Sequence, residues 1–507
     1  WCVMGAYNQI RGQHGCHNDF LLNRILKKDW KFDGVVVSDW GGVHDTREAA
    51  LCGLDVEMGT WTDGLKSYGE TAFDNYYMAG PLLELVRSGD IAESVIDDKV
   101  RRLLRLTMRT KLNPARPLGS LATQEHAGVA RRIAEEGIVL LKNDNGFFPI
   151  EKGRYEKILV IGENAVKQLT LGGGSSELKV RHEISPLEGL QQEYGSGVIV
   201  HTLGYGSGPS VYGREVESPY DADSLRRLAV KMAADADVVL FVGGLNKNHL
   251  QDCEAGDRIS YDLPFGQNEL LEQIVAVNRN VGVVLVGGNA VAMPWLDRVQ
   301  GVMQAWYLGS EAGTALARVI AGEVNPSGKL PFTFPEKLAD NGAHAFGEKS
   351  YPGIGGEQTY MEDILVGYRW HDTKKIRPRF PFGYGLSYTT FTCGKASADR
   401  KTYAKGDSVV VRMTLANNGD RAGAETVQVY VGQGHPSVVR PVKELKAFRK
   451  VFLEAGESCE VRFELPVTDF AFYDEKSGGW KVESDKYILY CGTSSGDIVS
   501  SVTIHVK

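Results

Sequence analysis

The sequence predicts a multidomain α/β protein that ends in an all-β sandwich, and three observations carry that expectation. Short apolar runs alternate with helical patterns from the start to about residue 306, the grammar of parallel α/β units. The breaker run Asn113-Pro114-Ala115-Arg116-Pro117 divides that stretch, and the rhythm restarts near Gln124. Beyond Tyr388 the helical period disappears, and short alternating segments are separated by turn residues.

Along the chain, Phe20 to Trp30 reads as a helix, and Gly34 to Val37 as a buried strand ending in Ser38-Asp39-Trp40. Glu48 to Leu51 reads as a helix and Leu54 to Met58 as a second short strand; Asp97 to Thr110, rich in Arg and Leu, is strongly helical. After the break, a helix through Glu136 precedes apolar strands at Lys157 to Ile161, Asp237 to Val242, Val281 to Val286 and Gly301 to Trp306. Helices such as Ser224 to Ala234 and Asn268 to Val277 separate them, which describes a doubly wound domain. A connector rich in Gly, Pro and charge follows Gly328-Lys329-Leu330-Pro331 and closes with Pro381-Phe382-Gly383-Tyr384-Gly385. Ser408 to Leu415, Glu425 to Val431, Cys459 to Leu465 and Lys486 to Cys491 read as strands. The expected boundaries are therefore 1–115, 116–340, a connector over 341–387, and 388–507.

Composition narrows the function classes. The chain has 507 residues, 43% hydrophobic and 24% charged, enough to bury several cores. Its 57 Lys and Arg against 64 Asp and Glu leave a net charge of −7 spread along the chain, which argues against a nucleic-acid footprint or a polybasic membrane anchor. With that charge balance a neutral or small polar substrate fits better, and no apolar run is long enough to span a bilayer. Seven scattered cysteines, odd in number and without C-x-x-C, do not make a disulfide framework.

Two carboxylates stand out. Asp39 lies where an apolar strand ends, the position from which α/β barrels draw their catalytic groups. Trp40 beside it offers a flat apolar face suited to a sugar ring. The competing reading is that Ser38 or Asp39 caps the next helix. Glu254 lies in the polar loop Asp252-Cys253-Glu254-Ala255-Gly256-Asp257-Arg258, where a carboxyl suits proton transfer to a departing group. Its competing reading is a solvated acid paired with Arg258. The turn Gly172-Gly173-Gly174-Ser175-Ser176 matches no phosphate-binding fingerprint, and close approach of backbone to a ligand or a flexible turn remain open. Gly492-Thr493-Ser494-Ser495-Gly496 satisfies G-x-S-x-G without a strand-turn-helix context, which excludes a serine hydrolase. His14, Cys16 and His17 lack a second ligand pair at zinc spacing, so neither metal nor other cofactor is expected.

Together these segments resemble glycoside hydrolase family 3. The resemblance is carried by Val3-Met4-Gly5-Ala6-Tyr7-Asn8, Asn18-Asp19-Phe20-Leu21-Leu22, the Trp30 to Gly34 run, Val36-Val37-Ser38-Asp39-Trp40-Gly41 and Gly53-Leu54-Asp55-Val56-Glu57-Met58. Ser327-Gly328-Lys329-Leu330-Pro331 and Phe382-Gly383-Tyr384-Gly385-Leu386-Ser387-Tyr388 extend it over essentially the whole chain. It implies the C-terminal part of a (β/α)8-type barrel, an α/β sandwich domain and a C-terminal fibronectin type III-like β-sandwich. It also implies Asp39 as the catalytic nucleophile and Glu254 as the acid/base, with Met4, Tyr7 and Trp40 in the sugar pocket and one of Ser175 and Ser176 reaching the substrate. Asp followed by Trp is similar to the β-glucosidase-like branch, which implies a retaining hydrolase of terminal β-D-glucosyl residues with an oligosaccharide or aryl glucoside as substrate. A β-xylosidase, or an enzyme with both activities, is the alternative.

The first 115 residues fall well short of the roughly 250 of a typical eight-stranded barrel. The resemblance therefore implies a missing first half of the barrel, with an Asp, an Arg and a Lys-His pair for the sugar hydroxyls. The sequence is then a fragment of a longer product, or is completed by another chain, or acts only as a carbohydrate-binding remnant. Relatives are usually exported, so a periplasmic or secreted location is implied; a homo-oligomer stays open.

Overall fold

The computed structural model describes residues 1–59 and 76–507. The chain divides into two compact units, Trp1–Ser120 and Leu121–Lys507.

In the first unit the strands Cys2–Met4 and Val35–Val37 run parallel, with Met4 opposite Val37. The strand expected over Leu54 to Met58 is reduced to a single parallel bridge between Val37 and Val56. Asp55 is the reason: its buried Oδ2 accepts the Val36 N–H at 2.8 Å, so a side chain takes a place that a backbone carbonyl holds in a longer ladder. The N–H groups of Asp55 and Val56 both donate to the Val36 carbonyl, at 2.9 and 3.0 Å. The Asp55 carboxylate is matched by Lys27 Nζ at 2.8 Å, with Arg102 Nε at 3.9 Å. The helix Phe20–Asp29 forms where expected but winds more widely, the Trp30 N–H donating to the Ile25 carbonyl five residues back. The helices Thr46–Leu51, Gly80–Arg87 and Glu93–Arg109 also belong to the unit, which has a small core of Leu22, Val36, Val43, Ala49 and Leu54. Lys99 is buried with its amine on the carbonyls of Leu54 and Ala49, and burial pushes its pKa down to about 8.

The second unit opens on a six-stranded sheet in the order Val139–Asn143, Gly301–Gln304, Val281–Val286, Val238–Gly244, Ile158–Ile161, Ile199–Thr202. All neighbours are parallel except Val139–Asn143, which is antiparallel to Gly301–Gln304. Val238–Gly244 and Val281–Val286 are buried along their whole length, as parallel strands covered on both faces must be. The edge strands Val139–Asn143 and Ile199–Thr202 are additions to the expected set. So is the helix Pro186–Tyr194, which starts at a capping box: the Ser185 side chain accepts the Glu188 N–H, and Glu188 accepts the Ser185 N–H. It packs against the helix Ala312–Ala321, and the contact is backbone on backbone, because a Cβ at Gly189 would enter the Gly313 carbonyl.

The connector returns to this sheet at Leu386, whose N–H donates to the Leu140 carbonyl at 2.8 Å. Beyond it, Ser408–Asn417 pairs antiparallel with Ser458–Pro466 in one layer of a sandwich. The other layer contains Asp497–Val506, Asp485–Ser494, Gly423–Gln433 and Glu444–Leu453 in that order. Alternate residues such as Val409, Val411, Val427, Val429, Phe463 and Leu489 fill the interior. All seven cysteines are free, and among the described residues no helix is long and apolar enough to cross a membrane.

Candidate active site

Asp39 stands two residues past the strand Val35–Val37, at the end where the parallel strand Cys2–Met4 also terminates. Its Oδ1 accepts the N–H of its neighbour Trp40 at 2.7 Å. It caps no helix: the next one begins at Thr46, and its cap is Asp45, whose carboxylate accepts the Glu48 N–H at 2.7 Å. Ser38 is turned inward, its hydroxyl accepting the Met58 N–H at 2.9 Å, which ties the two chain segments together just below Asp39. Under the same turn lies Cys16, fully buried; burial pushes its thiol pKa up, against a hydrogen bond with the Asp39 backbone that opposes the rise, and the thiol stays neutral. Met4, Tyr7 and Trp40 are 64%, 51% and 60% exposed, and so belong to the surface of this unit rather than its core.

Glu254 lies in the second unit, on the wall of an open groove of about 580 Å³ that is also lined by Ser176, Asp252, Asp257, Tyr261 and Tyr351. Its carboxylate Oε2 accepts the backbone N–H of Ser175 at 2.5 Å, and its own N–H donates to the Gly173 carbonyl at 2.9 Å. Arg258 takes no part in holding Glu254. Its guanidinium donates to the carbonyls of Ala290 at 2.8 Å and Ser260 at 3.1 Å, and burial lowers its pKa from the ordinary arginine value. Asp252 is held by the Gly288 N–H and the Asn289 amide, both at 2.6 Å, and by the Tyr307 hydroxyl at 2.9 Å. Asp257 accepts the Tyr351 hydroxyl at 3.0 Å. The loop thus has its other two acids tied to neighbouring segments, and Glu254 tied to the glycine turn.

Sequence reasoning singled out the serines of that turn, yet the group that meets Glu254 is the Ser175 backbone N–H. No sequence signal distinguishes that group, since every residue but proline carries it. Tyr351, His344 and Asn289 also line the groove and were not singled out; they are distant in sequence, and only the fold assembles them. Ser494 is buried in the sandwich, its hydroxyl accepting the Asp497 N–H at 3.0 Å in a strand-to-strand turn, far from a nucleophile's setting. The His14 and His44 rings stack at 3.8 Å, and His17 lies 2.8 Å from Glu48. Among the described residues no three His, Cys, Asp or Glu are arranged to hold a metal ion.

The first unit thus presents an aspartate past the end of a parallel strand, and the second a loop glutamate on an open groove, together with a doubly wound sheet and a β-sandwich. Residues 1–106 match the Glycosyl hydrolase family 3 N terminal domain, 138–388 the Glycosyl hydrolase family 3 C-terminal domain and 425–495 the Fibronectin type III-like domain. The chain is 52% identical to Beta-glucosidase BoGH3A of Bacteroides ovatus, over 99% of this chain and 68% of that protein. It is 36% identical to Exo-alpha-(1->6)-L-arabinopyranosidase of Bifidobacterium breve, over 100% of this chain and 63% of that one. The crystal structure of the GH3 β-glucosidase of Bifidobacterium adolescentis superimposes with a TM-score of 0.86 at 35% identity, over 100% of this chain and 69% of that one. The chain belongs to glycosyl hydrolase family 3, and it spans about two thirds of the length of these relatives.

Proposed function

We propose that the chain supplies both carboxyl groups of a retaining β-glucosidase. Asp39 attacks the anomeric carbon of a terminal, non-reducing β-D-glucosyl residue and forms a covalent glycosyl-enzyme, while Glu254 protonates the departing oxygen. Glu254, now a carboxylate, then takes a proton from the water that releases glucose. The observation that carries this reading is the placement of Asp39: it follows a buried parallel strand, has no helix to cap, and stands beside the exposed ring of Trp40. The 52% identity to a protein named a β-glucosidase supports the sugar. The name of the Bifidobacterium breve relative supports a second reading, hydrolysis of α-L-arabinopyranosides.

Nitrophenyl β-D-glucoside, β-D-xyloside and α-L-arabinopyranoside, assayed with the full product of the gene, separate these readings and the non-catalytic one by kcat/KM. Asp39→Gly should lower turnover of the preferred substrate by about 10⁴-fold or more, with azide restoring part of it as the glycosyl azide. Undiminished turnover in Asp39→Gly would sink the nucleophile assignment. Glu254→Ala should cost most on substrates with poor leaving groups, because good ones need little protonation.

A further inference from the structure

We infer that the turn Gly172–Ser175 is the positioning element for Glu254, fixing its carboxyl through the Ser175 backbone N–H and keeping position 174 free of any side chain. The inference rests on the acid/base reading of Glu254 given above.

The two segments are joined twice. The Glu254 N–H donates to the Gly173 carbonyl at 2.9 Å, which anchors the residue's backbone, and the Ser175 N–H donates to Oε2 at 2.5 Å, which anchors the far end of its side chain. Both ends of an exposed side chain with three rotatable bonds are thereby referenced to one turn. Gly172, Gly173 and Gly174 all have positive φ, at 78°, 84° and 97°, a backbone that L side chains rarely adopt. At Gly174 the reason is also spatial. A Cβ there would lie 2.5 Å from Oε2 of Glu254, 2.6 Å from its Cβ and 2.9 Å from the ring of Tyr212. The carboxyl lies against bare backbone, and any larger residue displaces it.

The chemistry explains why a backbone N–H is placed there. A hydrogen bond from an amide to a carboxylate is stronger than one to a neutral carboxyl, so the turn grips Glu254 hardest once it has given up its proton. That is the state in which it must activate water.

Two measurements test the inference. Glu254→Ala changes an exposed side chain, so the fold is expected to survive, and hydrogen exchange can be read whether or not the protein turns over substrate. Peptides covering residues 172–178 should exchange about tenfold or more faster in the variant, since about 1.4 kcal/mol of lost hydrogen bonding corresponds to a factor of ten. Unchanged exchange there would overturn the inference alone. In the full gene product, Gly174→Ala should lower kcat/KM for phenyl β-glucoside by about 100-fold while costing dinitrophenyl β-glucoside less than about fivefold, and should cost nothing further in a Glu254→Ala background. Gly213→Ala is the control for backbone strain, with φ at 69° and open space around it, and should leave both substrates unaffected. Equal losses on the two substrates, or losses additive with Glu254→Ala, would overturn the positioning role. A Glu254→Ala enzyme with no bias between leaving groups would overturn the acid/base reading and this inference with it.

Discussion

Asp55→Ala removes one carboxylate from the base of the strand that leads to Asp39, and the structure sets the size and the pH dependence of the loss. The Asp55 side chain is fully buried and Lys27 is 11% exposed; the pair sits at 2.8 Å. At an effective dielectric constant of about 20 that separation corresponds to about 6 kcal/mol of gross attraction, much of which desolvation of the two ions offsets. Truncating one partner is different, because it leaves the Lys27 ammonium buried and the Val36 N–H without its acceptor. The first unit should lose about 3 to 5 kcal/mol. The sign with pH follows from Lys27. Burial already holds its pKa below the ordinary lysine value, and Asp55 is the partner that opposes that shift. Without Asp55 the folded pKa falls further below the unfolded one, so between them the unfolded chain binds more protons and raising the pH restores stability. The deficit of the variant should therefore shrink from pH 7 towards pH 10. Urea unfolding followed by hydrogen exchange of peptides from residues 1–120 reads this unit separately from the second. A loss under about 1 kcal/mol, or a deficit that widens as the pH rises, would refute the reasoning.

Two further outcomes follow from other buried contacts. Lys99, with its pKa near 8 when folded against an ordinary 10.5, disfavours folding by up to about 3 kcal/mol below pH 8 and ceases to do so as the pH rises towards 10.5. Relative to Lys99→Met, the natural chain should gain stability over that window, and a difference that stays flat would contradict it. Gly189→Ala should push apart the helices Pro186–Tyr194 and Ala312–Ala321 and cost more than about 3 kcal/mol, measured as the fall in the unfolding midpoint of the second unit.

Much of this was legible in the amino-acid order. The buried strand before Asp39 announces itself through Val35-Val36-Val37, and the alternation of apolar runs with helical periods locates four of the six strands in the doubly wound sheet. The missed strands have physical reasons. Val139–Asn143 follows directly on the helix Gln124–Gly137, so its apolar residues read as a continuation of the same pattern. Ile199–Thr202 is a four-residue edge strand with His201 in it, too short for a period to show. Leu54 to Met58 reads as a strand because its residues alternate, and nothing in the alternation says that Asp55 turns inward to bond Val36. The winding of Phe20–Asp29 is equally hidden, since over two turns the same apolar spacing suits a tight or a wide helix. The candidate carboxylates were readable by type and neighbourhood. The Ser175 N–H that meets Glu254 was not, because it is backbone.

The return of the connector to Leu140 has a bearing on solubility. Val139–Asn143 is the last strand on its side of the sheet, and an edge of that kind offers unpaired N–H and C=O groups to any strand that drifts past. Here the Leu386 N–H occupies the Leu140 carbonyl at 2.8 Å and the Tyr384 hydroxyl reaches the Leu141 carbonyl at 3.2 Å, while the Leu330 N–H holds the Tyr384 carbonyl at 2.8 Å. The segment that leads to the sandwich is also the guard on the sheet. A chain shortened to residue 340 would keep the residues of all six strands and lose that guard, exchanging an occupied edge for an adhesive one.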